Sequence, residues 1–90
     1  MQQTLSITIT GKVQGVYFRQ SAKEKALELG ITGEVKNLQN GNVMVLATGT
    51  KEQLDVLSVW CSNGPSRAVV SNIIVKELPF RQFDHFRIVK

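Results

Sequence analysis

The stretch Gly11-Lys12-Val13-Gln14-Gly15-Val16-Tyr17-Phe18-Arg19 has the makings of a main-chain anion cradle. Its two glycines let the backbone curl tightly, as a nest of amides around a phosphate requires. The stretch runs into a helical pattern, and the first turn of a helix offers N–H groups with no intrahelical acceptor. Those donors and the helix dipole attract negative charge. Arg19 would add a planar, permanently charged fork suited to phosphate oxygens. A tight turn beside a surface arginine accounts for the same residues, so the loop alone does not decide. The Lys-Ser/Thr pair that closes a nucleotide P-loop is missing, and with it the hydroxyl that would hold magnesium.

The other reactive residue types point to plainer roles. His85, the one histidine, lies near a C-terminal strand pattern and reads as a surface or packing residue. Cys61, the one cysteine, can form neither an internal disulfide nor a cysteine-rich zinc site, and reads as a small buried apolar group. No Ser/His/Asp set and no His/Cys cluster is apparent, so neither metal nor cofactor is expected. Phe18 fits a helix core face, whereas Tyr17 and Phe18 together also suit stacking. Asn37 reads equally as a polar side chain beside a turn or as a neutral amide able to hold a water molecule.

Composition narrows the setting. Ninety residues and 10.0 kDa leave room for one small domain, expected to span residues 1–90. Apolar residues at 42% and charged residues at 20% are those of a packed globular chain. Eleven Lys and Arg against seven Asp and Glu leave a net charge of +4, which favours an anionic ligand without choosing a small phosphate over a nucleic acid. The charges are dispersed, as on an ordinary soluble surface. No apolar run reaches the roughly 20 residues that span a bilayer, and Met1-Gln2-Gln3-Thr4-Leu5 lacks the pattern of a signal peptide. With one cysteine, a reducing cytoplasm is the expected setting.

These groups must be positioned by the elements around them. Leu5 to Thr10 alternates apolar and polar residues and predicts a strand, broken between Gly11 and Gly15. Phe18, Ala22, Ala26 and Leu29 share one face of a helix over 18–29, stopped by Gly30. A second strand runs over 33–38, and Asn40-Gly41 marks a hairpin turn in which both residues tolerate positive φ. A third strand follows over 43–47. Thr50-Lys51-Glu52-Gln53 is a capping-box pattern, and the helix it opens presents Leu54, Leu57 and Cys61 until Asn63-Gly64-Pro65. Ala68 to Leu78 predicts a long fourth strand, and 86–89 a short fifth. The order β-α-β-β-α-β plus a short strand predicts an α+β, ferredoxin-like split βαβ sandwich: an antiparallel sheet with two helices on one face. In that topology the first two strands run parallel with the third between them. The Gly11–Arg19 loop and Asn37 should therefore meet at one sheet edge.

The chain also resembles a known family in its motifs. Gly11 to Arg19 closely resembles the first signature of the acylphosphatase family. Gly33-Glu34-Val35-Lys36-Asn37-Leu38-Gln39-Asn40-Gly41-Asn42-Val43 resembles the second, at the family's separation. Leu29-Gly30, Gly49, Gly64-Pro65 and Phe86-Arg87-Ile88 fit as well, so the resemblance spans nearly the whole chain. It implies hydrolysis of carboxyl-phosphate anhydrides without a cofactor. It places Arg19 as the phosphate-binding arginine and Asn37 as the residue that orients the attacking water. The backbone of Gly15, Val16, Tyr17 and Phe18 falls on the family's phosphate loop. Glu34 stands where the family often carries an aromatic residue, commonly Trp, and Lys36 where it often carries Arg. The partner implied is a small acyl phosphate, with no nucleic acid and no membrane, bound by a monomer. The alternative is a non-catalytic ferredoxin-like module for RNA or another anion. Such a module needs aromatic residues on its central strands, and 5–10 and 43–47 contain none.

Overall fold

The computed structural model describes residues 1–90. Its elements run β1 (Gln3–Lys12), α1 (Phe18–Leu29), β2 (Thr32–Asn37), β3 (Val43–Gly49), α2 (Lys51–Asn63), β4 (Val69–Leu78) and β5 (Phe86–Val89). They form a ferredoxin-like sandwich with strand order β4-β1-β3-β2-β5. β3 is antiparallel to both β1 and β2, so those two run parallel to each other, as the predicted topology requires.

The sheet departs from the expected antiparallel pattern at one place. β5 pairs parallel to β2, with Gly33 opposite Phe86 and Val35 opposite Ile88, so the sheet is mixed. The segment between β4 and β5 has to travel from one edge of the sheet to the other, and it arrives at β5 in the direction of β2.

α1 lies against β2 and β5, α2 lies against β1 and β4, and the two helices touch. Strand alternation supplies the core. Ile7 and Ile9 of β1, Val43, Val45 and Ala47 of β3, and Val35 of β2 face the helices and are buried. They meet Phe18, Ala22 and Ala26 of α1 and Leu54, Leu57 and Cys61 of α2. The Phe18 and Trp60 rings meet edge-to-face, with centroids 5.4 Å apart, and join the two helices. Thr50 caps α2 with the reciprocal box its sequence predicts: its hydroxyl accepts from the Gln53 amide, and the Gln53 side chain accepts from the Thr50 amide.

Two local expectations are corrected. Gly11 does not curl an anion loop but extends β1, opposite Val70 at a β-bulge of the edge strand β4. A Cβ there would collide with the Val69 carbonyl. In the β2–β3 turn only Gly41 has positive φ, at 93°, and Asn40 does not. Leu38 donates its amide to the Asn42 carbonyl at 2.8 Å, which closes a three-residue loop rather than a two-residue turn.

On the face away from the helices, a hydroxyl clasp pins the crossing segment. The Arg81 amide donates to Thr4 Oγ1 at 2.8 Å, and Thr48 Oγ1 donates to the Arg81 carbonyl at 2.7 Å. The two threonine oxygens are 2.7 Å apart. Thr4 Oγ1 also lies 3.3 Å from the Arg81 carbonyl, so either hydroxyl can donate to that oxygen while the other spans the pair, and the contacts form a closed ring.

Candidate active site

β1 and β2 end at the same edge of the sheet, and the loop from Val13 to Tyr17 carries the chain from that edge into α1. Val13 and Val16 are buried in the core and hold the loop down at two points. Between and beyond them the backbone turns left-handed, with φ of 72° at Gly15 and 62° at Tyr17. A tyrosine in that region bears a steric cost that glycine does not. Gln14 adds a tie across the loop. Its Nε2 donates to the Leu38 carbonyl at 2.8 Å and to the Asn42 carbonyl at 2.9 Å. One side chain thus joins the loop to the hairpin that carries Asn37. This was missed in the sequence, where Gln14 stood out only as part of a motif.

The N-terminus of α1 is built differently from that of α2. Tyr17 occupies its cap position without any side-chain cap bond, and no acidic residue lies in its first turn. The amides of Gly15, Val16 and Tyr17 make no main-chain hydrogen bond. Those of Phe18, Arg19 and Gln20 have no intrahelical acceptor. A run of consecutive donors without main-chain acceptors therefore lies at the positive end of the helix dipole.

Arg19 and Asn37 meet at this rim. Both line an open hollow of about 590 Å³, together with Tyr17, Gln20, Ile88 and Lys90. Arg19 is half-buried and Asn37 exposed. The molecule's ion pairs are Lys25–Glu28, Lys51–Asp55 and Arg87–Glu34, so the Arg19 guanidinium is not engaged by any carboxylate. No acidic residue lines the hollow, and Lys90 adds a second cation. Of the four expected phosphate-loop residues Tyr17 alone lines the hollow; Gly15 and Val16 lie in the loop before it, and Phe18 opens α1 with its side chain 2% exposed in the core. Ile88, which the sequence offers only as part of a closing motif, and Lys90 reach the hollow because β5 pairs with β2.

The unusual Glu34 lies on the opposite side. It alternates with Gly33 and Val35, so its side chain is on the sheet face away from the helices and the hollow. It is nearly buried there and accepts from Arg87 Nη2 at 3.4 Å. Lys36, two residues on, shares that face. His85 is exposed and stands apart from the hollow; its carbonyl accepts from the Gly33 amide at 3.1 Å. Cys61 is fully buried, and burial pushes its thiol up to about 12, which leaves it neutral and unreactive.

Comparison with known proteins shows which family has this sequence and this fold. The sequence model of the acylphosphatase family matches residues 5–88. An acylphosphatase of Marinobacter nauticus is 50% identical over 82 residues, covering 90% of this chain and 89% of the relative. The structure of an acylphosphatase from Coxiella burnetii superposes with a TM-score of 0.95 at 40% identity, covering 98% of this chain and 93% of that one. The crystal structure of acylphosphatase from Bacillus subtilis gives 0.94 at 32% identity, with both chains covered completely. Matched by family model, by sequence and by backbone over nearly its whole length, the chain belongs to the acylphosphatase family.

Proposed function

We propose that this chain carries out its family's reaction, hydrolysis of an acyl phosphate to a carboxylate and inorganic phosphate, with Arg19 and the amides of Gly15, Val16, Tyr17 and Phe18 binding the phosphoryl group and Asn37 orienting the attacking water. The observation that carries the reading is the convergence of an unpaired guanidinium, an uncapped helix N-terminus and a carboxamide on one hollow.

The chemistry asks little more of the protein. A carboxylate is a good leaving group, so no strong general acid is needed. Phosphoryl transfer passes through a loose transition state whose charge spreads over the equatorial oxygens. Positioning and charge stabilisation are then the main demands. Water held by Asn37 attacks phosphorus in line, and the bond from phosphorus to the acyl oxygen breaks with its electron pair leaving on the carboxylate. The water proton passes to a non-bridging oxygen of the substrate, because a neutral amide accepts and donates hydrogen bonds but is no strong base. Residues 1–90 would act as one domain, as a monomer in the cytoplasm. The rings of Phe18, Trp60 and Phe86 pack on the helix side of the sheet, which favours this reading over base stacking on an open sheet.

Kinetics with benzoyl phosphate, and inhibition by inorganic phosphate, test the two roles separately. Arg19→Ala should weaken phosphate inhibition roughly 10- to 150-fold, the equivalent of about 1.5–3 kcal/mol for a charge-assisted contact, and nearly abolish turnover. Asn37→Ala should lower kcat while phosphate inhibition stays near the parent value. An Asn37→Ala enzyme as fast as the parent would overturn the water-orienting role. Acyl phosphates should be strongly preferred over phosphate monoesters, whose poor alkoxide leaving group the site has no acid to protonate.

A further inference from the structure

The proposed reaction accounts for the cationic part of the hollow but not for the side chain of Tyr17. This residue sits in the left-handed region at φ 62°, where a bulky side chain is strained, and it caps a helix without making a cap bond. It is 76% exposed, and its hydroxyl makes no hydrogen bond within the protein. Folding therefore gains little from a tyrosine here, where glycine or asparagine would fit the backbone better. Tyr17 is nevertheless the one aromatic residue lining the hollow, and Ile88 is its apolar companion there. Arg19 and the loop amides take the phosphoryl end, so the acyl end must extend along the remaining lining.

We infer that Tyr17, with Ile88, is a specificity-determining shelf for the acyl group, and that the preferred substrates are acyl phosphates with an aromatic or bulky apolar acyl chain. The inference rests on the hydrolytic reading above. An aromatic acyl group stacks on or against the Tyr17 ring and loses water from both surfaces. A two-carbon acyl group is too short to cover the ring. The phenol hydroxyl has no part in this, so a phenylalanine would serve equally.

The test is the ratio of kcat/KM for benzoyl phosphate to that for acetyl phosphate, measured for the parent, Tyr17→Phe and Tyr17→Gly. Taking the ratio across variants cancels both the intrinsic reactivity of the two anhydrides and any general effect of altering the loop backbone. Tyr17→Phe should keep the parent ratio, and Tyr17→Gly should lower it roughly 2- to 10-fold, the range expected of one aromatic contact. In the unaltered protein, phenylphosphonate should inhibit more tightly than methylphosphonate by a similar factor, a comparison that needs no variant to fold. An unchanged ratio in Tyr17→Gly, or equal inhibition by the two phosphonates, would overturn the shelf while leaving the hydrolytic reading intact. A parent protein that hydrolyses neither acyl phosphate would overturn that reading, and the shelf with it.

Discussion

Gln14 shows how a residue outside the chemistry can set its geometry. Both of its amide hydrogens go to carbonyls of the β2–β3 hairpin, one of them on Leu38, the neighbour of Asn37. Gln14→Ala removes two donors and should cost about 1–2 kcal/mol, read as a lower urea midpoint. Gln14→Glu should be worse than Gln14→Ala, because a carboxylate would face two carbonyl oxygens with nothing to donate. Both changes should depress kcat more than they weaken phosphate inhibition, since the tie holds Asn37's hairpin and not the arginine. A Gln14→Ala protein as stable as the parent would show that the amide hydrogens contribute nothing.

At the scale of the element, α2 makes a pH-dependent prediction. Its buried face includes Cys61, whose thiol is held up to about 12 from an ordinary value of 9.0 by burial alone. The unfolded chain releases this proton from about pH 9, and the folded chain keeps it until about pH 12. The unfolded state then binds fewer protons, so stability falls as pH rises through that window, by up to about 1.4 kcal/mol per pH unit. Denaturation at pH 8, 10 and 11 should show a steeper alkaline loss for the parent than for Cys61→Ala. Parallel pH curves for the two proteins would refute this.

Elements were also the scale at which the sequence was most legible. Both helices begin and end where periodicity, the capping box and Gly30 place them, because those signals are local. The meeting of the Arg19 loop with Asn37 followed from topology alone. What escaped was non-local. Gly11 reads as a break, yet it continues a strand, because the need for a small residue comes from Val69 on another strand. The direction of β5 leaves no trace in four residues of apolar pattern, so Ile88 and Lys90 went unnoticed at the site. Thr4 and Thr48 fit the solvent phase of their strands, and only the crossing segment makes them buried.

For the molecule as a whole, the clasp of Thr4, Thr48 and Arg81 fastens the connection to β5 and thereby one wall of the hollow. Thr48→Val keeps the shape but removes the shorter of the two hydroxyl contacts to the Arg81 carbonyl, a change worth about 1 kcal/mol of stability. Thr4→Val and Thr48→Val should be strongly non-additive, because either one opens the same ring of bonds. Additive losses in denaturant titrations would mean that the hydroxyls act separately.

The placement of β3 has a last consequence. Arg19 follows β1 and Asn37 ends β2, but β1 and β2 never bond to each other; each is tied to β3, which contributes no group to the hollow. Up to Asn37 the chain holds no strand pair at all, and the Arg19 and Asn37 banks of the hollow are moored to a pier built afterwards. The alignment of the Arg19 and Asn37 banks accordingly depends on that one central strand. It comes into being, and dissolves, in the same cooperative event that zips or unzips Val43–Gly49, whose amide protons should be among the slowest to exchange with solvent.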